Sequence, residues 1–318
     1  MFMNTTIEPV GVILKKSLNL VKVNWKKFAN FIFVSIGISI IFFLTVSIIG
    51  FIVGFFWAII SGGQPLPFLL TIILSFVDTL FSILMMGIFS FSSAKFVSNI
   101  ANGKNATPWQ IIKPFILDYR QVFVTSLLAS ALLYGGMIII IPAVFFYYGT
   151  ILYIYTSGIE GKRGVTALIQ SYWYTNNKKA HLFGKILSIS GLTFLAIISY
   201  VIVLGIVFVV TVSLKIMTIT IVTGIFAVLL TIILLFLLIS ILQVSMYEIY
   251  IQLKNQAPEV VDSVFFKDKK KKFKIFIGIG LVLITILTAS KPFIPEKNQT
   301  KNSDKILTST VYSIKTEE

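Results

Sequence analysis

Apolar residues occur along this chain in long runs that are separated by short polar segments. Residues 28–60 are almost entirely apolar, and comparable runs cover about 68–94, 122–158, 184–213 and 216–247. Runs longer than ~20 residues can cross the hydrocarbon core of a bilayer as helices. The ~10-residue alternating segments of a transmembrane β-barrel do not occur. The pattern therefore predicts an all-α, polytopic helical membrane protein.

The run at 122–158 contains a Gly-Gly pair and Pro142, and basic residues flank both of its ends. Because basic flanks favour the cytoplasmic side, we expect an even number of crossings here. The run then forms a hairpin of two short spans, about 122–141 and 143–158. A last apolar segment, 275–290, is only just long enough to cross. The sequence thus predicts six spans, or seven if this segment crosses.

Three polar segments that precede spans have the pattern of amphipathic helices. Their predicted apolar faces are Leu14, Leu18, Val21, Trp25 and Phe28 in the first, Ile112, Ile116, Tyr119 and Phe123 in the second, and Val165, Leu168, Ile169 and Tyr172 in the third. Lysines or arginines occupy the other side of the first two, and Pro114 weakens the second copy. The predicted polar face of the third comprises Thr166, Gln170, Ser171, Thr175 and Lys178. Such helices are typical of the membrane interface. The order of one helix followed by two spans would then repeat three times.

These features divide the chain into predicted regions. The regions are a cytoplasmic amphipathic helix within 1–27, a six-span bundle over 28–250 with interfacial helices near 108–120 and 164–177, a cytoplasmic basic loop at 251–274, a possible seventh span at 275–290, and a disordered tail at 291–318.

The 27 lysine and arginine residues exceed the 12 acidic residues and give a formal net charge of +15. Most of them lie beside spans, in segments that fall on one side of the membrane if the N-terminus is inside. We therefore expect a plasma-membrane protein with a cytoplasmic N-terminus and an extracytoplasmic C-terminus. Its expected partners are anionic lipid headgroups and unidentified membrane proteins, rather than nucleic acid.

Few residues in the sequence suggest catalysis or cofactor binding. The chain has no cysteine and one histidine, His181, so we expect no thiolate or multi-histidine metal site and no cofactor. Ser171 and His181 could form a nucleophile and its base. However, ten helical residues separate them by ~15 Å, and Ser171 is better explained as a small packing residue. We expect that the protein is not an enzyme.

Asp78 lies near the middle of the second predicted span, and Glu248 lies at the cytoplasmic end of the sixth. A carboxylate in hydrocarbon is costly, so Asp78 could bind a proton, a cation or a headgroup. The alternative is a structural Asp78 that hydrogen-bonds to Ser75, Ser82 or a neighbouring helix. Glu248 could close a gate with a lysine, although a salt bridge with Lys254 or another loop is the simpler expectation.

The segment at 141–187 carries a family-like signature. Pro142 precedes a small polar gap, which is followed by Ala167, Leu168, Ser171, Tyr172, Tyr174 and Thr175 in the pattern A-L-x-x-S-[WY]. This segment resembles prokaryotic multi-pass families that include the membrane domain attached to some glycerophosphodiester phosphodiesterases. Asn176 and Asn177 depart from the pattern, and no phosphodiesterase domain is present. The resemblance implies a bacterial membrane protein and no activity that can be carried over.

Two functions remain open from the sequence. The first is a non-enzymatic envelope protein that acts as a scaffold, an assembly factor or an organiser of lipids. The second is a transporter or exporter component for a small or lipid-like solute, in which Asp78 and the break at Pro142 would contribute to a site.

The predicted topology can be tested with a reporter fused after residue 318. We expect an extracytoplasmic signal, because an odd number of spans separates the two ends of the chain. A cytoplasmic signal would remove the seventh span.

Overall fold

The computed structural model describes residues 7–64, 66–137, 150–176, 178–213, 217–257 and 263–290. Within these ranges the chain is helical and contains no strand. Five helices are long and apolar enough to cross a membrane, and a bent pair could supply a sixth span. The predicted all-α, polytopic membrane fold is therefore confirmed.

Ten helices make up the described chain. They are α1 (Val10–Val23), α2 (Trp25–Ser61), α3 (Phe68–Ala101), α4 (Pro108–Leu117), α5 (Tyr119–Met137), α6 (Tyr153–Gly158), α7 (Gly164–Tyr174), α8 (Lys179–Ser213), α9 (Met217–Gln256) and α10 (Ser263–Ser290). Pro142, residues 143–149 of the predicted span at 143–158, and the tail at 291–318 lie outside the described residues.

The spanning helices are much longer than a bilayer core. Helix α2 has 37 residues and α9 has 40, which corresponds to ~55–60 Å against a core of ~30 Å. The surplus turns gather at one end of the bundle, together with α1, α4, α6 and α7. We call this the lysine-rich end; it comprises the start of α2, the end of α3, the start of α8, the end of α9 and the short helices around them.

The main hydrophobic core lies at the lysine-rich end. Its largest fully buried side chains include Phe28 of α2, Phe91 of α3, Leu182 of α8 and Tyr250 of α9. At the other end, none of the residues in the most apolar stretch of α2 or α3 is buried in the protein. Those apolar side chains are suited to contact lipid, so protein packing concentrates at the lysine-rich end.

Helix α1 packs with a face that only partly coincides with the predicted one. Ile13, Ser17 and Val21 are buried, whereas Leu18 and Trp25 are each 54% exposed. Ser17 donates to the Ile13 carbonyl and accepts a 2.9 Å hydrogen bond from Ser245 of α9. A small polar residue thus lies at the centre of the contact with α9. Val21 and Phe28 of the predicted face are buried as expected, whereas the prediction was wrong for Leu18 and Trp25.

Helix α4 meets α5 at a bend of 82°. It starts with a capping box, in which Thr107 and Gln110 satisfy each other's backbone N–H groups. It continues through Pro114 to Leu117, and Ile111, Ile112 and Phe115 form its buried face. Pro114 therefore does not disrupt this helix, but Tyr119 and Phe123 of the predicted face lie in α5, beyond the bend.

Helix α7 is present where the third interfacial helix was predicted, but protein covers it on nearly all sides. Leu168 and Ile169 of the predicted apolar face are buried, and so are Gln170 and Ser171 of the predicted polar face. Among its residues only Thr166 is exposed. Neighbouring helices therefore pack against both the predicted apolar face and much of the predicted polar face of α7.

The predicted basic loop at 251–274 is largely helical. Helix α9 continues to Gln256, and α10 begins at Ser263, so the lysine run at 267–274 lies within α10. Helix α10 is therefore longer than the predicted segment at 275–290. It packs antiparallel against α5, because Gly135 of α5 lies against the Phe276 backbone while Gly280 of α10 lies against Ala131.

Two glycines make this close crossing possible. A Cβ atom on Gly280 would lie 1.6 Å from the Ala131 carbonyl oxygen, and one on Gly135 would lie 1.9 Å from the Phe276 oxygen. No real side chain tolerates such distances to backbone atoms. The α5–α10 pair therefore depends on glycine at both positions, as is common where membrane helices approach closely.

We expect Gly280→Ala to separate α5 from α10 and to lower stability by about 1–3 kcal/mol, because the backbones must move apart. Thermal unfolding in detergent measures the loss. Gly278→Ala on the same helix is the matched control, since a Cβ atom there meets nothing within 4 Å. Equal melting temperatures for the two variants would contradict the proposed crossing.

Candidate functional site

Asp78 lies in an open groove between α3, α5 and α10. It is exposed, and the groove has a volume of about 300 Å³. Its carboxylate has no hydrogen bond or ion pair with any residue that the structure describes, so neither Ser75 nor Ser82 caps it. The structural alternative of a satisfied Asp78 is therefore wrong for the described part of the chain.

Glu248 does not pair with Lys254. It is half-buried on the side of α9 that faces α1, where Glu8 and Lys16 supply the nearby charges. Glu8 holds the start of α1 to α9, because its backbone N–H donates to Gln252 Oε1 at 2.9 Å and its carboxylate accepts from Lys16 at 2.6 Å. That hydrogen bond raises the pKa of Lys16. The expected salt bridge was wrong because Lys254 points to another carboxylate.

The signature residues lie at the contact between α7 and its neighbours. Ala167, Leu168 and Ser171 are fully buried. Tyr172 packs edge-on against Phe273 of α10, and the Lys179 ammonium lies 3.5 Å from the centre of the Tyr172 ring. These described positions are buried or packed against neighbouring helices. His181 is exposed, in contrast to the buried Ser171.

Glu160 is the centre of the polar contacts at the lysine-rich end. Its side chain is only 11% exposed. Glu160 Oε1 accepts hydrogen bonds from the Tyr174 hydroxyl at 2.8 Å and from the Tyr250 hydroxyl, and Lys254 Nζ lies 3.2 Å away. One carboxylate oxygen therefore joins the α6–α7 loop to α7 and α9.

The loop around Glu160 is fixed by two further features. Gly161 has a φ of +71°, which lets the chain turn directly after Glu160. Arg163 donates to the Ser157 carbonyl at 2.6 Å and to Asp118 Oδ2 at 3.1 Å, so it ties the loop to the bend between α4 and α5. The turn at Gly161 and the hydrogen bonds of Arg163 thus fix the position of the loop that carries Glu160.

Four tyrosines form a cluster beside Glu160. Tyr155 stacks on Tyr250 with ring centres 5.2 Å apart, and Tyr174 and Tyr247 contact Tyr250 at 6.1 and 6.4 Å. Burial, and then the hydrogen bond to Glu160 and its charge, raise the pKa of Tyr174. The Tyr174 phenol therefore stays neutral and donates a hydrogen bond to the Glu160 carboxylate.

The tyrosine cluster separates two openings. On one side is a polar groove of about 660 Å³ lined by Glu160, Lys162, Gln170, Tyr174, Lys254 and Asn255. On the other side is a cavity of about 390 Å³ between α3, α6, α8 and α9, whose polar lining comprises Ser90, Ser93, Tyr155, Ser190 and Gln243. Tyr250 links the two openings, because it stacks on Tyr155 of the cavity and its hydroxyl donates to Glu160 of the groove.

Gln243 gives this cavity a polar character. The Gln243 Oε1 atom is buried and accepts no hydrogen bond, while the backbone oxygen of the same residue accepts from the Tyr155 hydroxyl at 3.0 Å. A buried acceptor without a donor costs about 1–3 kcal/mol. The Oε1 atom itself is closed off from the cavity, so a bound hydroxyl or N–H group would remove that cost only after the Gln243 side chain rotates.

Sequence reasoning missed Glu160 and the tyrosine cluster. Glu160 is the only acidic residue between Asp118 and Glu248, and Tyr247 and Tyr250 have the spacing of one helical face. These signals were present in the sequence, but they did not show that the segment with Glu160 contacts the helix that carries Tyr247 and Tyr250. Among the described residues, no group of three or more His, Cys, Asp or Glu side chains could hold a metal ion.

Comparison with known proteins gives no relative. No family model matches the chain, and neither the curated proteins nor the solved structures contain a similar protein. The resemblance to phosphodiesterase membrane domains therefore stays a prediction.

We expect Tyr250→Phe to lower the free energy of unfolding by about 1.5–3 kcal/mol, because it removes a buried hydrogen bond to a carboxylate. Tyr247→Phe is the matched control, since the Tyr247 hydroxyl bonds to no described residue. Thermal or denaturant unfolding in detergent compares the two variants. If both lose the same stability, Glu160 does not organise this end of the protein.

Proposed function

We propose that this chain is a non-enzymatic integral membrane protein that binds the headgroup region of a lipid or lipid-like amphiphile and thereby organises lipid in the plasma membrane. The observation that carries the proposal is the cavity between α3, α6, α8 and α9. It combines an unsatisfied buried acceptor, Gln243, with three serines inside an otherwise apolar bundle.

The shape and chemistry of the cavity favour an amphiphile. Its apolar walls include Ile151, Ile186 and Leu242, and its polar groups are neutral amide and hydroxyl groups. A volume of about 390 Å³ accommodates a headgroup and the first carbons of a chain rather than a whole lipid. A rotation of the Gln243 side chain on binding would bring its unsatisfied oxygen to the ligand and favour one that can donate a hydrogen bond.

The surroundings of the cavity support a location near anionic headgroups. The lysine-rich end carries Lys15, Lys22 and Lys26 on exposed positions of α1 and α2. Each lysine near an anionic membrane surface contributes about 1 kcal/mol of attraction. We therefore place this end at the cytoplasmic surface and expect a ligand drawn from the cytoplasmic leaflet.

A transporter or exporter component is the second candidate. It is favoured by the tyrosine cluster, which closes the cavity toward the polar groove beside Glu160. Such an arrangement would act as a gate if the rings could move apart. Protein-dependent movement of the bound lipid across proteoliposome membranes would favour this candidate over lipid organisation.

Native mass spectrometry of protein released from nanodiscs tests the proposal. We expect the wild type to retain phosphatidylglycerol, whose hydroxyls can donate to Gln243, more than phosphatidylcholine, which has no headgroup donor. Gln243→Leu should lower the retained phosphatidylglycerol about tenfold, as expected for a lost buried hydrogen bond of ~1.4 kcal/mol.

Gln64→Leu is the control for this measurement, because Gln64 is exposed in the turn between α2 and α3. It leaves all lysines in place, as Gln243→Leu does, so general attraction to anionic lipid is equal in the two variants. Wild-type retention by Gln243→Leu would refute the proposed site.

A further inference from the structure

A second polar opening lies on another side of the bundle, around Asp78. Asp78 is 17 residues before Lys95 on the same helix, α3, which places it ~25 Å from that charged position. Asp78 is also ten residues, ~15 Å, after Phe68 at the other end of α3, so it lies well inside a hydrocarbon core of ~30 Å whose edge is near Phe68. Asp78 is thus an ionisable group at membrane depth.

The groove supplies several oxygen atoms around this carboxylate. Its polar lining comprises Thr79 and Ser82 of α3, Ser130 and Tyr134 of α5, and Thr288 of α10. Three helices therefore contribute acceptors to one small opening of about 300 Å³. The glycine crossing of α5 and α10 holds the third wall in place.

The charge of Asp78 is not balanced by a protein group. The groove lining contains no lysine, arginine or histidine, and Asp78 forms no ion pair with a described residue. An unpaired carboxylate at membrane depth is unfavourable, so it requires a proton or a cation. The groove therefore favours a ligand that brings positive charge.

The lining also restricts the kind of cation. A divalent metal prefers several carboxylates, and the groove offers one. The walls contain Ile83, Met86 and Leu287 beside the hydroxyls, which suits a cation with an apolar part. An ammonium group can donate up to three hydrogen bonds to the carboxylate and hydroxyl oxygens while its alkyl part contacts these side chains.

We infer that the Asp78 groove binds the protonated amine of an alkylammonium compound, either free or as the headgroup of an amine-bearing lipid. The ammonium contacts the Asp78 carboxylate, and hydroxyls from α5 and α10 surround it. This site is separate from the Gln243 cavity, with which it shares no lining residue, so the inference does not rest on the proposed function.

Thermal stability and isothermal titration of the detergent-purified full chain test this inference, with n-butylammonium chloride as the probe. We expect butylammonium to bind and to raise the melting temperature, because a ligand of the folded state stabilises it. Equal concentrations of n-butanol and of sodium chloride should not do so. Equal effects of butanol would overturn the inference, and so would an equal effect of sodium.

Asp78→Asn should weaken butylammonium binding at least tenfold. Asp268→Asn is the matched control, because Asp268 is an exposed carboxylate near the start of α10 that pairs with Lys272, and its removal should change the affinity less than twofold. Unchanged binding by Asp78→Asn would refute the site. If that variant does not fold, the wild-type comparison of butylammonium with butanol still decides the outcome.

The source of the amine is resolved by competition. Displacement of butylammonium by phosphatidylethanolamine, but not by phosphatidylglycerol, would identify a lipid headgroup. Binding of butylammonium that neither lipid displaces would identify a free amine. Both outcomes support the ammonium site, whereas a stability that depends on pH but on no added amine would show that Asp78 binds only a proton.

Discussion

The length of the spanning helices is the constraint on which the rest of this structure depends. Helices of 34 to 40 residues cannot fit within a hydrocarbon core of ~30 Å unless they tilt or project. Their surplus turns converge at the lysine-rich end, where lipid no longer covers apolar side chains. The short helices α1, α4, α6 and α7 supply that cover. The protein core therefore lies at one end of the bundle instead of along its whole length.

Polar side chains hold this core together and connect it to the polar groove at Glu160 and to the Gln243 cavity. Glu160 links three segments through one oxygen atom, and Arg163 extends the connection to the α4–α5 bend. Because Tyr155 and Tyr250 both border this network, a change at Glu160 would reach the Gln243 cavity through one layer of stacked rings. The Asp78 groove depends instead on the crossing of α5 and α10. Ligand binding in the Gln243 cavity and ligand binding in the Asp78 groove would thus depend on different contacts.

The sequence was sufficient for features that depend on local composition. The spans at α2, α3, α8 and α9 follow from uninterrupted apolar runs, and Thr107 marks the start of α4. Features that depend on distant segments were missed. The face of α1 is set by Ser17 against Ser245, and Glu160 is held by Tyr250, 90 residues away along the chain. Periodicity identifies an apolar stripe, but it does not show which partner will bury a small polar residue.

The central claim is that the short helices belong to a protein core rather than to the membrane interface. Disulfide formation between Ser17→Cys and Ser245→Cys tests it most directly, because the chain has no other cysteine and the two serine oxygens lie 2.9 Å apart. In membranes treated with a mild oxidant, we expect nearly complete cross-linking of this pair. The control pair of Ser39→Cys and Ser245→Cys should not react, since Ser39 is exposed on α2. Failure of the first pair to cross-link, or equal cross-linking of both, would contradict the account.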